Sequence, residues 1–101
     1  MKRYLVRFMP EAEMDVEELY NWITFEVHQP LTANRYITSL NEAIRHLVIY
    51  ADAIALSRYD YIQSRYGPNA RHITYKKMAI IYTITGNTMF IKRVIAAKLI
   101  R

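Results

Sequence analysis

The sequence predicts an α+β fold: an N-terminal strand, an antiparallel helical hairpin, then a three-stranded antiparallel meander. Together these make a four-stranded sheet with the two helices packed on one face. Three observations predict it. Apolar residues recur at helical spacing across 10–27 and again across 30–51. Ile, Val, Thr, Tyr and Phe dominate 71–97, and Gly86-Asn87 separates two such runs as a two-residue hairpin signal. The 101 residues are 52% hydrophobic with only 2 Gly and 3 Pro, which suits one domain over 1–101 with a single core.

The first strand is read over 3–8, with Tyr4, Val6 and Phe8 on one face and Arg3, Leu5 and Arg7 on the other. Pro10 stops it and suits the first turn of a helix, where a missing N–H leaves no bond unmade. Helix one runs to about Val27 on a stripe of Ala12, Val16, Leu19, Tyr20, Ile23 and Val27. Glu11, Glu13 and Asp15 sit at its start, where the helix dipole favours anions. Trp22 and Phe25 fall off this stripe and are expected to pack inward rather than form an exposed patch. After His28-Gln29-Pro30, helix two runs to Ala51 on Ala33, Tyr36, Ile37, Leu40, Ile44, Leu47, Val48 and Ala51. So short a break makes the helices antiparallel. Residues 52–70 are read as irregular and end in a Gly67-Pro68-Asn69 turn. The meander strands are placed at Arg71–Tyr75, Met78–Thr85 and Thr88–Ala97, with Lys76-Lys77 closing the first hairpin. The first strand must pair with one of them, because a lone strand leaves its backbone unpartnered.

Charge divides along the chain. Residues 1–57 carry five basic and eight acidic side chains, and residues 58–101 carry nine basic and one acidic. The basic half makes a directional field that favours phosphate-rich or acidic partners. With no Cys there is no disulfide, thiolate nucleophile or Cys-based zinc site, and the three His have no metal-ligand spacing. No metal and no cofactor are expected. No run approaches the roughly 20 apolar residues that span a bilayer, and the N-terminus has no uninterrupted apolar signal region. A cytoplasmic protein without membrane contact is expected.

The order of elements, together with Phe8-x-Pro10-Glu11-Ala12-x-x-x-Asp15, Ala33-x-x-Tyr36, Arg71-x-Ile73, Met78-Ala79-Ile80-Ile81-Tyr82-x-Ile84 and Ile91-x-x-Val94, resembles the RelE/ParE toxin superfamily over nearly the whole chain. The resemblance implies a small toxin of a type II toxin–antitoxin (plasmid stabilisation) system, neutralised by a cognate antitoxin. Its members divide into RelE-like toxins, which cut messenger RNA on the ribosome, and ParE-like toxins, which inhibit DNA gyrase. A homodimer is a further candidate assembly.

In RelE-like nucleases an arginine lies three residues before the tyrosine of the central strand, and a tyrosine or His-Tyr lies in the C-terminal tail. Here the first place is Ala79, and the tail Ala96-Ala97-Lys98-Leu99-Ile100-Arg101 has neither Tyr nor His. The resemblance therefore points to the ParE-like branch. The alternatives are an mRNA interferase with a non-standard catalytic set, and an inactive toxin that binds only its antitoxin. For the nuclease, Arg71 and His72 are the catalytic candidates, since metal-free RNA cleavage needs a base and phosphate stabilisation. The competing reading of His72 is a strand residue with no catalytic role. Arg58, Arg65, Lys76, Lys77, Lys92, Arg93, Lys98 and Arg101 are the candidate contacts to a target or nucleic acid. Simple alternation places Lys92 with Phe90 and Val94, and Arg93 with Ile91 and Ile95, leaving one sheet face open with a cation on it. The competing reading is a long stem that packs while its charge reaches water. Arg58, Tyr59, Tyr61, Arg65 and Tyr66 interleave cations and rings, which suits single-stranded nucleic acid, a protein hot spot, or an ordinary loop with its rings tucked in.

Overall fold

A computed structural model describes residues 3–101. In chain order the elements are β1 (Leu5–Phe8), α1 (Pro10–Asn21), α2 (Pro30–Tyr50), α3 (Asp60–Tyr66), β2 (Arg71–Tyr75), β3 (Met78–Thr85) and β4 (Thr88–Ala96). The sheet order is β1-β4-β3-β2. The meander is antiparallel, whereas β1 lies parallel to β4, Leu5 opposite Thr88 through Phe8 opposite Ile91.

The main core lies between the helices and one face of the sheet. Ala12 of α1 and Leu40, Ile44, Leu47 and Val48 of α2 pack on Tyr4, Ile80, Tyr82, Met89, Ile91 and Val94. Val6 and Phe8 join from β1, as alternation from Tyr4 requires. Tyr82 is fully buried, and its hydroxyl donates to the Ala51 carbonyl at 2.6 Å. Burial raises the pKa of that phenol, so it stays a neutral donor.

Helix one departs from expectation at its end. Trp22–Glu26 is a π-helical turn, in which Val27 N–H donates to the Trp22 carbonyl. The wider turn gives Ile23 the inward place and carries its neighbours outward. Trp22 is 57% exposed and Phe25 65%, so their expected inward packing is wrong, and Val27 also leaves the stripe at 41%.

Two further departures concern the basic half. The 52–70 stretch contains α3, which was expected to be irregular. And β4 carries a one-residue register shift: Arg93 faces Ile81 while Ile91 faces Tyr82, so Lys92 has no opposite residue. This bulge breaks the alternation expected there. Ile91 and Val94 both enter the helix-side core, whereas Ile95 packs with Ile81 on the other face.

The two hairpin turns differ in chemistry. Gly86 takes φ 60, a conformation open to glycine at little steric cost. Lys76 and Lys77 take φ 43 and 70, which is the type I′ pattern without the residues that favour it. The double change Lys76→Asn/Lys77→Gly should stabilise the chain by about 1 kcal/mol, the left-handed penalty outweighing the added freedom of glycine in the unfolded chain. A urea midpoint that falls instead would mean the lysine stems support the fold.

Candidate functional site

The second face of the sheet is only partly open. Ile62 of α3, Ala70, Ile81 and Ile95 form a small buried cluster there, with Tyr61, Tyr66 and Ile100 packed against it. The wholly open cationic face expected from the sequence is therefore not found. The reason lies in α3 and the tail: Tyr61 N–H donates to the Arg101 carbonyl at 3.1 Å, and Gln63 Nε2 donates to the Ser57 carbonyl at 3.1 Å. These bonds tie α3 to the tail and to the chain before it, and the apolar cluster holds that layer on the strands. Ala79, in the place of the nuclease arginine, is fully buried.

Arg71 and His72 are adjacent on β2 and so point to opposite faces. Arg71 Nε donates to the Ile54 carbonyl at 2.8 Å, and Leu56 bridges to Arg71, which pins the chain after α2 to the sheet edge. His72 lies on the second face, edge-on to the Tyr59 ring with centroids 5.6 Å apart. It lines a cavity of about 170 Å³ with Tyr59, Thr74, Ala97 and Ile100. The two expected catalytic partners are therefore not brought together.

His72 Nδ1 is buried without a hydrogen-bond partner among the described residues. Burial lowers the His72 pKa from its ordinary 6.5, so the imidazole is neutral at pH 7. The folded chain then binds this proton less readily than the unfolded chain. The stability concerned is fully present above the unfolded pKa of about 6.5 and is lost as pH falls toward the lower folded value. The urea midpoint should drop between roughly pH 7.5 and pH 5, and His72→Gln should remove part of that drop. An identical pH slope in the variant would take His72 out of the linkage. His28, in the left-handed region at φ 57, and His46, on the rim of a groove beside Glu42 and Tyr50, are exposed. No metal-binding cluster occurs among the described residues, and no helix among them is long and apolar enough to cross a membrane.

The remaining cations are dispersed. Arg93 is held by Asp15 of α1: Nε and Nη2 donate to the two carboxylate oxygens at 2.7 and 2.9 Å, and Glu11 lies 3.7 Å away. The same carboxylate accepts Val94 N–H at 2.9 Å. That amide needs a side-chain acceptor because β1 has already ended opposite Ile91. These hydrogen bonds raise the Arg93 pKa, and a carboxylate already occupies this candidate contact. Sequence reading placed Asp15 at the helix start, but the partner 78 positions away depends on the tertiary register.

Lys92 lies half-buried with its ammonium 5.9 Å from the Phe90 ring centre. Arg65 stacks on Tyr61 at 3.8 Å and donates to its carbonyl, an exposed local pair. Arg58, two residues before α3, and Arg101, whose carbonyl accepts the Tyr61 N–H at the start of α3, are both exposed. Lys76, Lys77 and Lys98 gather at the end of the sheet where β2 meets β3 and β4 runs out. Of the rings in 58–66, Tyr61 and Tyr66 pack on the second-face cluster, and Tyr59 stays 48% exposed beside His72.

Comparison of the sequence with protein-family models and with curated proteins finds no match. Comparison of the fold is informative. A chain of the chromosomal ParDE TA system from P. aeruginosa superposes with a TM-score of 0.73 at 16% identity, over 93% of this chain and 96% of that one. A chain of the toxin-antitoxin complex RelBE2 from Mycobacterium tuberculosis gives 0.64 at 20% identity, over 93% and 98%. The architecture is that of the RelE/ParE fold.

Proposed function

We propose that this chain is the toxin of a type II toxin–antitoxin pair and acts as a ParE-like binding module. It inhibits an essential enzyme, DNA gyrase by analogy, and a cognate antitoxin holds it inactive. One observation carries the choice of branch. Where the family resemblance puts a nuclease's arginine this chain has the buried Ala79, and its tail over 96–101 has neither Tyr nor His and packs Ile100 against Ile62, Ile81 and Ile95. An apolar plug offers nothing to the developing charge of a phosphoryl transition state. The fold likeness to a ParDE chain supports the same branch.

A second reading, the mRNA interferase, draws on the neutral His72 in its small cavity beside Tyr59, since a neutral imidazole near the surface can take a proton. Purified chain added to gyrase with relaxed plasmid, and separately to a translating extract, distinguishes the two. Inhibited supercoiling with intact messenger RNA is the expected result. Cut RNA with unimpaired supercoiling would replace this reading by the second, and antitoxin binding without either effect would leave an inactive toxin. Association with the target should also slow steeply as salt rises.

A further inference from the structure

The turn Lys76-Lys77 keeps two lysines in a backbone region where asparagine and glycine sit at lower cost. The Ala97 N–H donates to the Lys77 carbonyl at 2.8 Å, which fastens this turn to the segment following β4. Beside that bond lies an open cavity of about 460 Å³, lined by Lys77, Met78, Ala96, Ala97 and Lys98. The less exposed of these, Met78, Ala96 and Ala97, give it an apolar floor, and the two exposed lysines, Lys77 and Lys98, form its rim. None of the described residues lining it is acidic. Lys77 and Lys98 are both exposed and, among the described residues, have no carboxylate within ion-pair reach. A third ammonium stands close by: Lys76 Nζ lies 5.5 Å from the Tyr75 ring centre and 6.0 Å from that of Tyr36, whose hydroxyl donates to the Lys76 carbonyl.

We infer that this cavity docks an acidic segment of a protein partner, which inserts one apolar side chain between flanking carboxylates. Two complementarities argue for it. The floor rewards apolar burial, and Met78 adapts its shape to what enters. The rim cations are desolvated least when they meet flexible carboxylates at the edge of a contact, and they steer an acidic chain toward it. A nucleic acid fits less well. The floor presents no ring for a base to stack on, and the nearest rings, Tyr36 and Tyr75, are engaged edge-to-face with each other at 6.2 Å. The inference stands on these residues alone and does not depend on which enzyme is the target.

The test is an amide and methyl NMR titration of the full chain. The probe is a short blocked peptide with one leucine between pairs of glutamates; its controls are the same peptide with serine for leucine, and a single-stranded oligouridylate. Saturable shifts at Met78, Ala96 and Ala97 are expected with the leucine peptide. Binding should weaken about tenfold or more with the serine peptide, and similarly with Lys77→Gly/Lys98→Ala. Glycine retains the turn geometry, and circular dichroism checks that the variant is folded. Absence of saturation at these residues, equal binding of the serine peptide, or tighter binding of the oligonucleotide would each overturn the assignment.

Discussion

Replacing Asp15 by alanine should destabilise the chain by about 2–3 kcal/mol, read as a fall in the urea midpoint with an unchanged slope. The side chain is 11% exposed and serves two purposes. It neutralises Arg93 through two charge-assisted bonds, and it satisfies the Val94 amide at the point where β4 has lost its strand neighbour. Alanine leaves a half-buried guanidinium and an orphaned amide together, and the second cannot reach water without distorting β4. Asp15→Asn keeps an acceptor oxygen but loses the charge, so it should cost about 1 kcal/mol. Glu11→Ala should stay within about 0.5 kcal/mol, because that carboxylate is 73% exposed and 3.7 Å away. Equal effects from Asp15→Ala and Glu11→Ala would mean that the contact is only a surface ion pair.

Truncating Ile62 to alanine should cost about 2–4 kcal/mol, since it is the fully buried side chain through which α3 enters the second-face cluster. A helix of 7 residues is not stable alone. Loss of its anchor should therefore loosen 59–66 and 97–101 together, since Tyr61 N–H and the Arg101 carbonyl join them. Hydrogen exchange should speed up in both segments while the amides of β3 and β4 stay protected. A uniform acceleration over the whole sheet would place α3 inside the global folding unit. Under the ParE-like reading, this variant should also lose target inhibition, because the plugged face and its exposed Tyr59, Arg58 and Arg65 would no longer be held in one shape.

Much of the architecture was legible in the residues. The meander strands fall within one residue of their expected bounds, because Gly86-Asn87 and the dense β-branched runs leave little freedom. Helix two is likewise set by its eight-residue stripe. The α3 helix carries local signals too short to stand out in an irregular stretch: Asp60 opens it, Tyr59, Ile62 and Tyr66 keep helical spacing, and Gly67 at φ 91 ends it. The division of Arg71 from His72 also followed from alternation. The Lys92 bulge and the Asp15–Arg93 contact did not. The first lies in the β3–β4 ladder and the second in the packing of α1 on β4, long-range outcomes that no local pattern encodes. The basic half proved a poor guide for the same reason. Charge per residue says nothing about which cations the fold will bind to itself, and Arg93 and Arg71 are bound to the chain's own carboxylate and carbonyl.

The π-helical turn has a spectroscopic consequence. Trp22 is the chain's only tryptophan, and it stands in water. At 57% exposure its emission is expected to lie close to that of a hydrated indole already, so its colour should change little on unfolding and makes a weak signal for denaturation. The same property makes it a low-background optical reporter, since a blue shift on mixing with another molecule would mark the helical tip as covered.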